Sequence, residues 1–222
     1  AKQSNLIASA DVTTTKELLE FAEQVGPHIV ALKTHIDIIS DFDSDKTILP
    51  LKDLATKHNF LLMEDRKFGD IGNTQELQYR SGMYNISHWA DLVTSHVIAG
   101  YQSIDCFMNS GVIAILSMSS KGALTDQNYR TEALKIVETH PNIIGCVAQN
   151  KVPANVLLFT PGVNISSKGD DKGQQYNTPE HVFKNLHTDF VIVGRGIYKA
   201  ENVEKSAKLY KLESWNAYLK SL

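Results

Sequence analysis

The sequence has few of the features that mark secreted, membrane-spanning or nucleic-acid-binding proteins. It contains only two cysteines, Cys106 and Cys146, each in an apolar stretch. This usage predicts free buried thiols in a reducing compartment, not a disulfide framework. No apolar run approaches the roughly 20 residues that a membrane helix needs, and the first residues show no signal-peptide pattern. We therefore expect a cytoplasmic protein that makes no contact with a membrane.

The chain also lacks a surplus of positive charge. Lys and Arg together number 22 against 25 Asp and Glu, which gives a net charge of -3 and no electrostatic case for a nucleic-acid partner. The 222 residues are 42% hydrophobic and 21% charged, as in ordinary soluble globular proteins. With no repeat and no linker-like segment, the sequence predicts one domain spanning residues 1–222.

Short apolar runs rich in β-branched residues recur along the chain and predict eight strands. Because the runs lack polar alternation, they are typical of parallel strands covered on both faces. Helical patterns separate most of them, and this alternation favours an α/β fold, a single (β/α)8 TIM barrel. The predicted strands are 5–10, 29–33, 60–65, 91–97, 112–118, 143–148, 156–160 and 190–194. The predicted helices are 15–25, capped by Thr13 or Thr14, and 49–58, 74–84, 129–139, 180–186 and 203–219.

Two connections depart from this alternation. Residues 149–155, between the sixth and seventh strands, are too few for an ordinary crossover helix. Either that helix is a single turn or a strand is misplaced there. Residues 161–177, after the seventh strand, are polar, rich in glycine and without helical periodicity, which is typical of a functional loop.

Charged residues lie at the carboxyl ends of the first three predicted strands. In a barrel the carboxyl ends of the strands carry the catalytic side chains, so these charges should converge on one rim. They predict either a catalytic cluster or a structural network of salt bridges. The residues are Asp11 at the end of strand one, Lys33 and His35 at the end of strand two, and Asp65 and Lys67 at the end of strand three, followed by Asp70.

The segment from Val193 to Gly196, at the end of the eighth strand, is a candidate phosphate site. Its glycines leave backbone amides unobstructed, and a helix that follows would favour an anion at its N-terminus. The alternative is that the glycines only permit a tight turn.

A metal site is a weaker possibility. Imidazole and carboxylate ligands are available at strand ends, but no HExxH or CxxC spacing is present, so structural roles are favoured. The candidate ligands are His35, Asp37, Asp65 and His96.

Several motifs taken together resemble the orotidine 5'-phosphate decarboxylase family. The likeness runs over nearly the whole chain in the family's order and is closest to the eukaryote-type branch. In that branch this domain is often the C-terminal half of uridine monophosphate synthase. The motifs are LKTHID at 32–37, EDRKFGDIGNT at 64–74, MSS at 118–120, TPGV at 160–163, GQQY at 173–176 and VGRG at 193–196. One departure is Gly69, where the family more often has alanine.

The resemblance implies decarboxylation of orotidine 5'-monophosphate to uridine 5'-monophosphate, the last step of de novo pyrimidine biosynthesis. It also implies a homodimer with shared active sites, and neither a metal nor an organic cofactor. An ammonium would stabilise a vinyl carbanion at the ring carbon and then protonate it, and Lys67 is the implied donor.

The same resemblance implies the remaining site residues. Lys33, Asp65, Lys67 and Asp70 would form a charged catalytic tetrad, with Asp70 and Thr74 reaching the neighbouring subunit's site. Residues 161–177 would form a closing loop. The implied substrate ligands are Asp11 and Lys33 at the ribose, Ser119 and Pro161 at the pyrimidine, and Gln174, Tyr176, Gly194 and Arg195 at the phosphate.

Two other functions remain open at this point. One is a metal-dependent sugar-phosphate epimerase or lyase on the same barrel, with His35 and Asp37 as ligands. The other is a catalytically silent barrel that only binds nucleotides. Against the silent barrel stands the unbroken set of two lysines and two aspartates, which mere binding would not need.

Overall fold

A closed barrel of eight parallel strands forms the centre of the molecule, and each strand pairs with its neighbours in sequence order. The computed structural model describes residues 2–153, 155–165 and 177–222. Pairing of the last strand with the first closes the barrel and confirms the predicted TIM-barrel fold. The strands are β1 Leu6–Ala10, β2 Ala31–Thr34, β3 Leu61–Phe68, β4 Leu92–Ser95, β5 Gly111–Ile115, β6 Ile143–Val147, β7 Leu157–Pro161 and β8 Phe190–Val193.

Helices surround the barrel. They are α1 Thr15–Val25, α2 Leu49–His58, α3 Gly72–Arg80, α4 Gln127–Thr139, α5 Pro179–His181, α6 Arg195–Tyr198 and α7 Val203–Ser221. Short 3₁₀ segments cover Gly26–His28, Ile36–Ile38, Ile86–His88 and Tyr101–Ile104, while π-helical turns cover Ser44–Ile48 and Val182–Leu186. None of the described helices is both long and apolar enough to cross a membrane.

The start of α1 illustrates how the local sequence sets a boundary. Thr14, one of the two predicted caps, accepts a hydrogen bond from the Glu17 amide, and the Glu17 carboxylate accepts one from the Thr14 amide. This reciprocal capping box satisfies amides that the first helical turn leaves without partners. The buried face of α1 then follows the helical period through Leu18, Ala22 and Val25.

Two separate apolar layers explain why each strand corresponds to an unbroken apolar run in the sequence. One layer fills the barrel and includes Ile7, Met63 and Ile113, all at most 1% exposed. The other lies between the strands and the helices and includes Leu6 and Leu62. Since successive residues of a strand point to opposite faces, neighbours such as Leu6 and Ile7 belong to different layers.

The structure corrects one predicted helix and answers the question about the short connection after the sixth strand. The predicted helix 74–84 is observed at Gly72–Arg80, because Ser81 is extended and Gly82 has a φ of +72°, which helical backbone cannot adopt. Between β6 and β7 the described residues contain no helix, and β7 lies where a strand was predicted. The described residues of this connection therefore form no helical turn, and the predicted seventh strand is confirmed.

Candidate active site

A bulge at the carboxyl end of β3 shapes the rim of the barrel. Glu64 pairs with Val93 and Phe68 pairs with Ser95, so the three residues from Asp65 to Lys67 stand opposite Thr94 alone. Lys67 has a φ of +50°, a left-handed conformation that is uncommon for a residue with a Cβ. Bulges re-aim side chains beside active sites. This one, and not simple strand alternation, brings the Lys67 ammonium to Asp65.

Two lysines share the Asp65 carboxylate. Asp65 Oδ2 lies 2.6 Å from Lys33 Nζ and 2.8 Å from Lys67 Nζ. The His35 imidazole completes the cluster, with its Nε2 3.0 Å from Lys33 Nζ and 3.5 Å from Asp65 Oδ2. The side chains of Lys33 and Asp65 are each only 9% exposed. Two ammonium groups on one carboxylate leave positive charge at a poorly hydrated surface, which suits an anionic ligand.

The pKa shifts in the cluster follow from burial and from its charges. Burial alone would raise the pKa of Asp65, but the ammonium groups of Lys33 and Lys67 outweigh it and hold that pKa well below its usual range. Burial lowers the pKa of His35, and the Lys33 ammonium lowers it further. Asp65 is therefore ionised and His35 neutral at neutral pH.

The cluster borders a cleft made of two adjoining cavities. The larger, of about 230 Å³, holds Asp65 and Lys67 on one side. The smaller, of about 140 Å³, reaches the end of β8. Lys33, Pro161 and Ile192 line both, so the two form one cleft. The other residues of the larger cavity are Met63, Thr94, Ile115, Ser117, Met118, Ser119 and Val147, and those of the smaller are Ser9, Asp11, Gly162, Val163, Gly194, Arg195 and Gly196.

The two glycines after β8 differ in the space around them. A Cβ on Gly196 would collide with the Tyr210 side chain, so this glycine permits close packing against α7. A Cβ on Gly194 would lie 3.6 Å from the Asp11 carboxylate, inside the cleft. Since α6 has only four residues, its dipole is small, and an anion here would depend on local amides and Arg195.

Asp70 and Thr74 lie apart from the cluster. Asp70 is half-buried and Thr74 is exposed, and no ion pair joins Asp70 to a lysine in the described part of the chain. The Asp70 carboxylate accepts a hydrogen bond from the Ile71 amide, and the Asp70 amide donates to the buried Gln75 side chain.

Gly69, where the family more often has alanine, has room for a larger residue. A Cβ on Gly69 would meet only His96 Cβ at 3.9 Å, so an alanine would fit.

The other predicted site residues divide into two groups. Asp11, Ser119, Pro161, Gly194 and Arg195 line the cleft together with Lys33. Gln174 and Tyr176 lie outside the described residues. The described ends of the predicted loop are joined, because the Asn177 amide donates to the Gly162 carbonyl and the Asn164 amide to the Asn177 carbonyl.

The structure does not assemble the candidate metal ligands into a site. Asp37 is exposed on a 3₁₀ turn, while the His35 ring contacts Lys33. Within residues 2–153, 155–165 and 177–222, no group of three or more His, Cys, Asp or Glu side chains is arranged to hold a metal ion.

Sequence reasoning assigned no role to Glu64, which is fully buried behind the cluster. Its carboxyl group accepts hydrogen bonds from the Thr34 hydroxyl at 2.6 Å and from the Ile36 amide at 3.1 Å. These bonds fix the turn that carries His35. Burial raises the pKa of Glu64 to about 8, against hydrogen bonds that lower it. The only signal in the sequence was a glutamate inside an apolar strand.

We expect Glu64→Gln to flatten the dependence of stability on pH. The folded pKa of about 8 lies above the ordinary value of 4.5, so the folded chain binds the extra proton between these values. The stabilisation is therefore complete below about pH 4.5 and is lost as the pH rises through about 8, by at most about 1.4 kcal/mol per pH unit. Urea unfolding of the parent and of Glu64→Gln from about pH 5 to 8 measures how the free energy of unfolding changes with pH. Glu138→Gln, at an exposed position of α4, is the control. Parallel profiles for the parent and Glu64→Gln would contradict the assignment.

The fold and the cleft together define a class. A (β/α)8 barrel with two lysines around a buried aspartate at the carboxyl ends of its strands is built as an enzyme for an anionic small molecule. Within that class, the sequence model of the "Orotidine 5'-phosphate decarboxylase / HUMPS family" matches residues 4–210. The chain belongs to this family.

Individual proteins agree with the family assignment. Orotidine 5'-phosphate decarboxylase of Rhizomucor pusillus is 45% identical over 98% of this chain and 87% of its own length. The enzyme of that name from Candida glabrata is 42% identical over 100% of this chain and 89% of its own length. Identity at this level over nearly complete chains identifies this protein as an enzyme of the decarboxylase family.

Solved structures agree with the fold. Orotidine 5'-monophosphate decarboxylase from Methanocaldococcus jannaschii, complexed with the inhibitor BMP, superimposes with a TM-score of 0.71 at 24% identity, over 95% of this chain and 98% of the other. The OMP decarboxylase of Leishmania donovani gives a TM-score of 0.68 at 17% identity, over 98% of this chain and 95% of the other.

Proposed function

We propose that this chain decarboxylates orotidine 5'-monophosphate to uridine 5'-monophosphate and carbon dioxide, a step of pyrimidine biosynthesis. The observation that carries the proposal is the Lys33–Asp65–Lys67 cluster at one end of a cleft whose other end is lined by Gly194 and Arg195. A nucleotide carrying a carboxylated base has a reacting carboxylate at one end and a phosphate at the other. The cleft offers positive charge to both.

The reaction requires a cation beside the carbon that loses its carboxylate. When the bond to the carboxylate breaks, carbon dioxide leaves and the electron pair stays on the ring carbon. The Lys67 ammonium stabilises this pair and then donates a proton to it, and the lysine recovers its proton from solvent. Asp65, ionised and held between two ammonium groups, fixes Lys67 in position.

The rest of the cleft would orient the nucleotide. Ser119 and Pro161 stand on the wall of the larger cavity, where the pyrimidine would lie. Lys33 lines both cavities and Asp11 lines the smaller one, and the two would bind the ribose hydroxyls. Gly194 and Arg195 would bind the phosphate, with Gln174 and Tyr176 supplying further donors from the closing loop at 161–177. Binding energy from the phosphate can lower the barrier at the distant carbon.

A direct assay tests the proposal. Purified chain incubated with orotidine monophosphate should remove the orotate absorbance and release one uridine monophosphate for each substrate consumed. The same assay after treatment with a chelator separates this reaction from a metal-dependent sugar-phosphate epimerase or lyase, because the proposed chemistry uses only side chains. Absence of turnover by the folded chain, or loss of turnover that only added metal restores, would refute it.

We expect Arg195→Ala to weaken substrate binding without changing the pH profile of the reaction. A planar guanidinium makes charge-assisted bonds to phosphate oxygens, and their loss costs about 1.5 to 3 kcal/mol. Part of that loss should appear in kcat through incomplete closure of the loop. Steady-state kinetics measure both quantities, and Arg130→Ala, on α4 outside the cleft, is the control. An unchanged KM would remove Arg195 from the phosphate site.

We also propose a homodimer in which Asp70 and Thr74 enter the active site of the partner subunit. Thr74 is exposed in the first turn of α3, and the half-buried Asp70 lies just before that helix. Large apolar side chains are exposed on the same side of the barrel, on α3, in the turn that precedes it and in the connection after β4 that packs against α3. Exposed apolar side chains grouped in this way are typical of a surface that binds another protein. These side chains are Ile71 (67% exposed), Leu77 (52%), Ile98 (72%) and Tyr101 (42%).

The cytoplasm is the proposed location. Cys106 and Cys146 are both free, and burial raises the pKa of Cys146 to about 12, which keeps it an unreactive thiol. Free thiols of this kind suit a reducing compartment.

A further inference from the structure

Thr94 lies where β4 faces the bulge of β3. In a regular parallel ladder, the amides and carbonyls of β3 would continue to pair with β4, but three residues of β3 here face one residue of β4. The backbone amide of Lys67 therefore needs another acceptor. It donates instead to the Thr94 hydroxyl oxygen, 3.0 Å away. The side chain of Thr94 thus replaces a ladder bond that the bulge removes.

The same hydroxyl donates its hydrogen to the catalytic carboxylate. Thr94 Oγ1 lies 2.7 Å from Asp65 Oδ1, while the other oxygen of Asp65 contacts the two lysines. A hydroxyl has one hydrogen to donate and can also accept, so both bonds form together. Thr94 is 1% exposed, which leaves water little room to take over either bond.

We infer that Thr94 is a positioning residue for decarboxylation, which holds Asp65 and the left-handed backbone of Lys67 in the geometry that aims the ammonium into the cleft. The inference rests on the function proposed above. The neutral Thr94 side chain connects the two members of the Asp65–Lys67 ion pair. Its hydroxyl donates to the Asp65 carboxylate and accepts from the Lys67 backbone amide.

Three variants separate this role from a general effect on stability. Thr94→Val keeps the shape but lacks the hydroxyl, and we expect kcat to fall about 10- to 100-fold with KM within about threefold of the parent. Thr94→Ser keeps the hydroxyl, and it should retain most of kcat. Thr47→Val is the matched control, because Thr47 is fully buried and makes similar contacts. Its hydroxyl oxygen accepts a hydrogen bond from the Asp43 amide at 3.2 Å and lies 2.8 Å from Thr15 Oγ1. It lies outside the cleft and should leave kcat unchanged.

The inference is overturned if Thr94→Val keeps kcat within about twofold of the parent, or if Thr94→Ser loses as much as Thr94→Val. Should Thr94→Val not fold, Thr94→Ala adds no bulk and carries the same expectation. A crystal structure of the variant gives a readout that needs no activity. We expect Lys67 Nζ to leave Asp65, and an unmoved pair would refute the positioning role. A parent chain without decarboxylase activity would instead refute the proposed function, and the crystal structure would still decide on Thr94.

Discussion

Replacing Lys67 with alanine should abolish decarboxylation and leave a folded barrel that still binds a nucleotide analogue. The change removes both the cation beside the developing carbanion and the proton that quenches it. General acid catalysis is typically worth about 10²- to 10⁴-fold, and the lost electrostatic stabilisation adds about 10²- to 10³-fold. The fold should survive because the Lys67 side chain is 33% exposed at the cleft and lies outside both apolar layers.

The measurement compares single-turnover rates with binding of uridine monophosphate by calorimetry. Lys57→Ala is a suitable control, since Lys57 Nζ also lies close to a carboxylate, Glu23 Oε1 at 2.7 Å, but on the outside of α2. Lys57→Ala should turn over like the parent. Activity of Lys67→Ala within about tenfold of the parent would remove this lysine from the chemistry.

The barrel itself was predictable from the sequence because its physical requirements are local and repeated. Each strand is buried on both faces, so apolar residues run without polar interruption, as at Ile113 to Ile115. The charges at the ends of the first strands were predictable for the same reason, since parallel strands in a barrel present their carboxyl ends on one side. Lys33, Asp65 and Lys67 meet there.

The contacts within the cleft were not predictable, because they depend on register between distant segments. The sequence shows Asp65 and Lys67 two positions apart, but not the bulge that turns Lys67 into the left-handed region. Thr94 is an ordinary residue of a short strand until the pairing of β3 with β4 places it opposite that bulge. Glu64 and Thr34 likewise meet only because β2 and β3 pair at those positions.

Whether the active site is shared turns on Asp70. The resemblance places it beside the catalytic lysine of a partner subunit, and it makes no ion pair with Lys67 of its own chain within the described residues. Its carboxylate is free to meet a partner, since its described bonds are to the neighbouring Ile71 amide and, at 3.5 Å, to the Gln78 amide group. In a two-fold dimer each contact occurs twice, so two composite sites would form.

Subunit exchange between two inactive variants should therefore restore activity. In a mixed dimer of Lys67→Ala and Asp70→Ala chains, one site carries both substitutions, while the other combines an intact Lys67 with an intact Asp70 from the partner. Random pairing makes half of the dimers mixed, with one working site in each, so activity should approach about a quarter of the parent value. Mass spectrometry of intact dimers confirms exchange, and each variant exchanged with itself is the control. If mixed dimers form from folded chains and no activity returns, Asp70 acts within its own subunit and the shared site is wrong.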